Sequence, residues 1–351
     1  MLKIIISIGF MIWVYSFPSS ASIDISDNLT LSGFGSTSIA KATSESPLFV
    51  NREITDDTCF DCDTTLGLQL DYTLTDEINA SMQAVKRPKD EWSELELEWL
   101  YLSYSTNSIE AKIGRLRLPL FLTSEYYYVS QAYVWARPPQ EVYGSVLGIT
   151  SFDGISVAWN HYLSDELLLT ISPYYGGYKE IGVEMGSSDF EFVTNSLMGL
   201  SIDIIGFNYR IHSNVLTSNY DQEIFVDGMR VSNLKDQDLL IYSLGSEYSY
   251  NEFQFMVEAQ TSDIQSSWYT SISYTFDLLT PYIVYSESYD WKENYSITSG
   301  LRYDITSKIS INTEWQRMKL KGNSVSNSGQ FTDNRGDNES SLVTFIVNFI
   351  F

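Results

Sequence analysis

Apolar and polar positions alternate over residues 341–351. Val343, Phe345, Val347, Phe349 and Phe351 share one face of a strand, and Thr344, Ile346, Asn348 and Ile350 share the other. The same period of two recurs upstream. In 308–316, Lys308, Ser310, Asn312, Glu314 and Gln316 oppose Ile309, Ile311, Thr313 and Trp315. In 267–276, Trp268, Thr270, Ile272, Tyr274 and Phe276 oppose a row of Ser and Thr interrupted by Tyr269. Segments 65–74 and 253–260 divide likewise, with Leu66, Leu68, Leu70 and Tyr72 in one apolar row and Phe253, Phe255 and Val257 in the other. Such splits predict strands with one face in an apolar medium and one in water.

After a first strand at 29–42, strand-like runs come in pairs joined by short turns. The turns centre on 75–76, 106–107, 164–165, 205–206, 250–251, 277–279 and 305–306. Longer polar connections run at 43–63, 87–91, 117–150, 177–194, 218–238, 262–266, 289–294 and 320–340. Strict alternation of short and long connections fits about sixteen antiparallel strands closed into a transmembrane barrel, with tight turns at one membrane face and extended loops at the other. A soluble β-sandwich, the rival all-β architecture, has no reason to keep that alternation. An even strand count leaves both ends on the periplasmic side. About sixteen strands also enclose a lumen too wide for side chains to fill, so the polar rows are expected to face water.

Composition supports this reading. Lys3, the apolar stretch 4–14 and Ser19-Ser20-Ala21 form a cleavable secretory signal, expected over 1–21, with one barrel domain over 22–351. Its removal leaves 20 basic against 45 acidic residues, a net charge of -25. No later run is long enough for a transmembrane helix, yet aromatics make up 15% of the chain, with 25 Tyr. Tyr and Trp suit the two interfaces of a barrel in lipid.

The third long connection contains Gly114-Arg115-Leu116-Arg117-Leu118-Pro119, then Trp135-Ala136-Arg137-Pro138-Pro139-Gln140-Glu141-Val142-Tyr143-Gly144, and is too apolar for a solvated loop. With the signal, the Leu31-Ser32-Gly33-Phe34-Gly35 opening and the terminal Phe351, this segment resembles the bacterial outer-membrane porin superfamily along essentially the whole mature chain. The resemblance implies an inward-folded third external loop and location in the Gram-negative outer membrane among its lipids. It also implies recognition of Phe351 by barrel-assembly machinery, passive diffusion of small hydrophilic solutes or ions, and a homotrimer. The rival function is a surface adhesin or structural barrel with a narrow or plugged lumen.

Candidate pore residues follow from this frame. Glu94, Glu96 and Glu98 alternate with Leu95, Leu97 and Trp99, so all three are expected on the water face, opposite Arg115, Arg117 or Arg137 across the lumen. Glu125 belongs to the same constriction set. Strand parity would put Arg115 and Arg117 in lipid at a cost of about 2–4 kcal/mol, so a bulge at Gly114 is expected to turn them inward, with headgroup contact the alternative. Tyr126, Tyr127, Tyr128, Tyr133 and Trp135 either pack the loop on the wall or line a sugar path. Excess acid favours cations. Cys59 and Cys62, the only cysteines, are expected to form a local disulfide, with no metal site. His161 and His212 lack evident partners for catalysis, no phosphate-binding loop exists, and the acidity argues against nucleic acid. No enzymatic activity and no cofactor are expected.

Overall fold

A computed structural model describes residues 22–351 apart from 51, 89–92, 147–148, 186–187, 227, 291, 322–328 and 333–334. The expected signal, 1–21, lies outside the described residues. The wall starts at β2 (Leu29–Ala42), against which the short β1 (Ile23–Ser26) folds. It continues through β3 (Thr65–Thr73), β4 (Ile78–Lys86), β5 (Leu95–Ser105), β6 (Ile109–Arg117), β7 (Ser151–Ser164) and β8 (Leu167–Gly176). Next in space is β10 (Ser188–Ile205), because β9 (Lys179–Met185) pairs only with the outer half of that strand. The wall then runs through β11 (Tyr209–Val226), β12 (Met229–Tyr250), β13 (Phe253–Ser262), β14 (Gln265–Tyr274), β15 (Leu279–Asp290), β16 (Asn294–Thr306), β17 (Ile309–Leu320) and β18 (Glu339–Ile350). Pairing of β18 with β2 closes a 16-strand antiparallel barrel. Closure leaves no free edge, which is what lets a sheet cross lipid with its backbone satisfied.

All seven short turns lie where the sequence puts them. Two expected loops are instead strands. Segments 177–194 and 218–238 extend the wall as two hairpins, β9 with β10 and β11 with β12, well past the neighbouring strands. Their acidity reads as loop, but Phe190 and Phe192 stack at 6.4 Å, and Phe192 meets Tyr220 at 6.0 Å.

Outward positions such as Leu102, Phe255, Val257 and Phe345 are exposed apolar side chains, while Ser310, Asn312, Glu314 and Gln316 are buried inside. The interior is less polar than the rows suggest. Tyr174, Leu197, Leu216, Ile241, Met256, Tyr269, Tyr282 and Val284 form a buried apolar belt across β8 and β10–β15. They sit singly or in pairs in polar rows, as Met256 does between Gln254 and Glu258 and Tyr282 with Val284 between Thr280 and Ser286, so the period of two conceals them.

The seam between β2 and β18 is tightened by its last residue. Gly33 and Phe351 exchange two backbone hydrogen bonds of 2.9 Å, and a Cβ on Gly33 would lie 2.2 Å from the Phe351 ring. Glycine is required there by the ring that covers it. Gly33→Val is expected to displace Phe351 and cost about 1–3 kcal/mol by overpacking, read as a lower temperature for the heat-modifiable shift on detergent gels. A shift temperature equal to wild type would mean that the seam does not depend on this contact.

Candidate permeation path

The third external loop, 118–150, leaves β6 and enters the barrel, where its own chemistry holds it. Leu118, Leu120, Phe121, Leu122, Trp135, Val142 and Tyr143 are buried against the inner apolar belt. Trp135 meets Tyr269 edge-on at 5.6 Å. Removing such side chains from water contributes about 1.5–3 kcal/mol each. Backbone carried into the lumen must also find partners, and every strand from β11 to β18 supplies at least one contact. His212 Nε2 lies 3.0 Å from the Pro119 carbonyl, and Arg210 donates to the Leu122 carbonyl at 3.1 Å. Ser243 donates to the Leu120 carbonyl. Glu258 accepts from the Leu122 amide at 2.6 Å and the Tyr143 hydroxyl at 2.7 Å. Ser271 accepts from the Trp135 indole at 3.0 Å. Ser286 and Asn294 donate to the Glu141 carboxylate at 2.7 and 2.9 Å. Arg302 and Asn312 donate to the carbonyls of Tyr133 and Val134 at 2.6 and 2.5 Å.

The strongest anchor is ionic. Arg137, buried, donates to Asp63 at 2.6 Å and Glu314 at 3.3 Å, and also to Thr344 on β18. Asp63 simultaneously accepts from Arg52 at 2.8 Å, which ties the first external loop to the third. Burial alone would push the Asp63 carboxyl up. The Arg137 and Arg52 guanidiniums outweigh it and hold the group below the usual aspartate range.

Loop 3 therefore fills the sector beside β11–β18 and leaves space beside β3–β11. Two cavities occupy that space. One of about 370 Å³ opens toward the external loops, among Arg52, Arg87, Glu96, Tyr127 and Lys292. The other, of about 570 Å³, lies toward the short turns, among Trp99, Tyr101, Glu125, Tyr126 and Arg210. Both are lined by Arg117, Phe121 and Ser124, so these residues form the septum between them. Arg117 donates to Glu98 at 2.5 Å and to the Ser124 carbonyl at 3.1 Å, and Arg87 donates to the other Glu98 oxygen at 2.5 Å.

The expected pore residues separate into groups. Glu98 and Arg117 meet at the septum, in direct contact rather than across the lumen. Glu96 is half-exposed and pairs with Arg87 at 3.1 Å, while Glu94 is exposed before β5 begins. Glu96 and Glu98 alternate with the outward Leu95 and Leu97, and β5 carries a bulge just beyond them: Gln83 pairs with Trp99 and Ala84 with Leu97, so Glu98 is the extra residue. The bulge turns Trp99 inward as well, where its indole donates to Ser81 at 3.0 Å. Arg115 stays outside. No bulge interrupts β6, and Arg115 shares an outer hollow with Leu100, Ile113 and Ile155. Asp153 on β7 neutralises it at 2.7 and 3.0 Å, which supplies what a lone outward arginine would lack. Gly114 is needed for close approach instead, since its φ is +135° and a Cβ there would lie 2.2 Å from the Leu100 carbonyl. Arg137 clamps the loop away from the open sector, and Glu125 lies in the lower cavity.

Tyr133 and Trp135 pack the loop, whereas Tyr126 lines the lower cavity and Tyr127 and the buried Tyr128 the upper one. Cys59 and Cys62 are disulfide-bonded. His161 stacks on Trp159 at 5.1 Å. His212, expected to lack a partner, lies 3.1 Å from Asp203, which also accepts from Arg210. The roles of Asp63, Arg87, Glu258 and Glu314 were not evident in sequence; inward parity alone marks Glu258 and Glu314 in their rows.

No family model and no curated protein matches the chain. Solved structures do match in fold. An anion-selective porin from Comamonas acidovorans superposes with a TM-score of 0.62 at 13% identity, over 92% of this chain and 99% of that one. OmpF of Salmonella typhi in complex with daunomycin gives 0.61 at 13%, over 93% and 100%. A loop L8 deletion mutant of OmpT, an outer membrane protein of Vibrio cholerae, gives 0.58 at 13%, over 93% and 100%.

Arg137→Ala leaves Asp63 and Glu314 buried with one cation fewer and is expected to destabilise the loop by about 3–5 kcal/mol. The check is protease cleavage within 118–150 in the otherwise folded barrel. Because the folded Asp63 pKa is lowered, its stabilisation is complete above about pH 4 and is lost as pH falls through the lowered value. Wild type should thus stay protected in this loop down to about pH 4 and become cleavable as pH falls from there through the lowered value, and Asp63→Asn should be cleavable already at pH 7. Identical cleavage of the two proteins at both pH values would refute the clamp.

Proposed function

We propose that the chain is an outer-membrane porin that passes small hydrophilic solutes or ions by passive diffusion, along the sector beside β3–β11. The observation that carries this reading is the pair of cavities, one toward each barrel mouth, meeting at a septum of only three residues. Selectivity is assigned to the septum, where Arg117 and Arg87 share one buried carboxylate, Glu98. Fixed charge in a narrow, low-dielectric passage acts strongly on ions. The proposal includes outer-membrane lipids around the wall, assembly through Phe351, and a homotrimer, as in a trimer form described for the Vibrio cholerae protein.

One observation favours a second reading. Contacts from loop 3 to all eight strands of β11–β18 suit a plug, and a plugged barrel would serve as an adhesin or structural surface protein. Planar-bilayer recording separates the two: folded protein that gives no current steps in KCl supports the plug. In a conducting protein, Arg117→Glu is expected to shift the reversal potential under a KCl gradient toward cations. Unchanged reversal potentials would remove Arg117 from the ion path.

A further inference from the structure

The lower cavity contains more than a water path needs. The β5 bulge directs Trp99 into it, and the bond from the indole to Ser81 at 3.0 Å fixes the ring. Tyr101 follows two residues later on the same face, about 7 Å further along the strand. Tyr126 approaches from loop 3, and burial pushes its hydroxyl up to about 12, so it remains a neutral donor. Three half-buried aromatic rings thus border one space.

The polar groups there are unevenly committed. Lys112 is paired with Glu110 at 3.1 Å and Arg210 with Asp203 at 2.7 Å, so neither offers an open charge to an anion. Glu125 itself is exposed and has no hydrogen-bond or ion-pair partner among the described residues. Asn160 accepts from Thr170 at 2.7 Å, and its Nδ2 has no partner among the described residues. Lys112 covers part of the Tyr101 ring at 5.4 Å, and what remains available is the rings of Trp99 and Tyr126 and the uncovered part of Tyr101, beside a free acceptor and a free donor. A sugar ring complements this set, with an apolar C–H face for the aromatic rings and hydroxyls that both donate and accept. A volume of about 570 Å³ lies within the range of small-ligand sites.

We propose that the lower cavity is a binding site for a neutral saccharide, with Trp99, Tyr101 and Tyr126 as the stacking surface and Glu125 and Asn160 as hydroxyl partners. The transport role of this site rests on the porin reading, but binding does not. In planar bilayers, maltose added on the short-turn side should reduce the KCl current saturably, beyond the reduction given by glycerol of matched viscosity. Trp99→Ala should raise the half-blocking concentration at least tenfold. Block that merely follows viscosity, equal in wild type and variant, overturns the proposal. Independently, tryptophan emission of folded, detergent-solubilised protein should change saturably with maltose, and Trp99→Phe, which keeps an aromatic ring at the position, should lose most of that change. No saturable change in wild type showing heat-modifiable mobility also overturns it. A protein silent in KCl that still binds maltose through Trp99 upholds the site and rejects the conduction reading.

Discussion

Bringing Arg137 into the lumen removes a guanidinium from water, a cost that only converging partners can offset. Asp63, Glu314 and Thr344 converge on it from the first loop and from β17 and β18. Much else follows from that meeting. Asp63 also holds Arg52, and Arg52 donates to Gln140, so the clamp fixes the start of a short helical turn, Gln140–Tyr143. Above it, Leu48, Phe49, Ile54 and Phe331 pack with Met318 and Leu342, sealing the first and last external loops over the same wall. Charge inside and apolar packing above therefore stabilise one side of the barrel mouth.

The lumen is divided accordingly. Beside β11–β18 the middle of the lumen is filled, with an apolar belt meeting the apolar face of loop 3 and buried Ser, Asn and Glu side chains bonding its backbone, and a hollow of about 460 Å³ among Val129, Gln131, Arg302 and Asp304 lies toward the short turns. Beside β3–β11 it is wet and charged. A single inward loop can serve both as core and as constriction because its two faces differ: Trp135 and Leu122 turn to the wall, while Ser124, Glu125 and Tyr126 turn to the cavities.

Much of this was legible in the sequence, and the exceptions have physical causes. The barrel, its turns and the disulfide follow from alternation, turn chemistry and cysteine spacing, all local properties. The inward loop was expected from the porin resemblance, beside a hydrophobicity that no solvated loop sustains. Parity misplaced Trp99 because one bulged residue, Glu98, inverts it, and bulges leave little trace in composition. Parity placed Arg115 outward, and the cost of a charge in lipid argued against it, since the remedy, Asp153, lies 38 residues away. Two acidic segments read as loops are strands because their apolar positions pair with each other rather than with lipid. The clamp partner Asp63 lies at a loop end, where no periodicity identifies it.

The bulge in β5 has a wider consequence. Before it, Leu95 and Leu97 lie toward the outer wall, and after it Leu100, Leu102 and Tyr104 do. One extra residue therefore lets two consecutive side chains, Glu98 and Trp99, both address the lumen, where a regular strand would give one of them to lipid. The upper half of the strand sets the septum and the lower half the aromatic cavity, with the outer surface unbroken across the join. The two halves are in effect separate modules in one strand, so the chemistry of either can vary over generations without the other, or the membrane, registering the change.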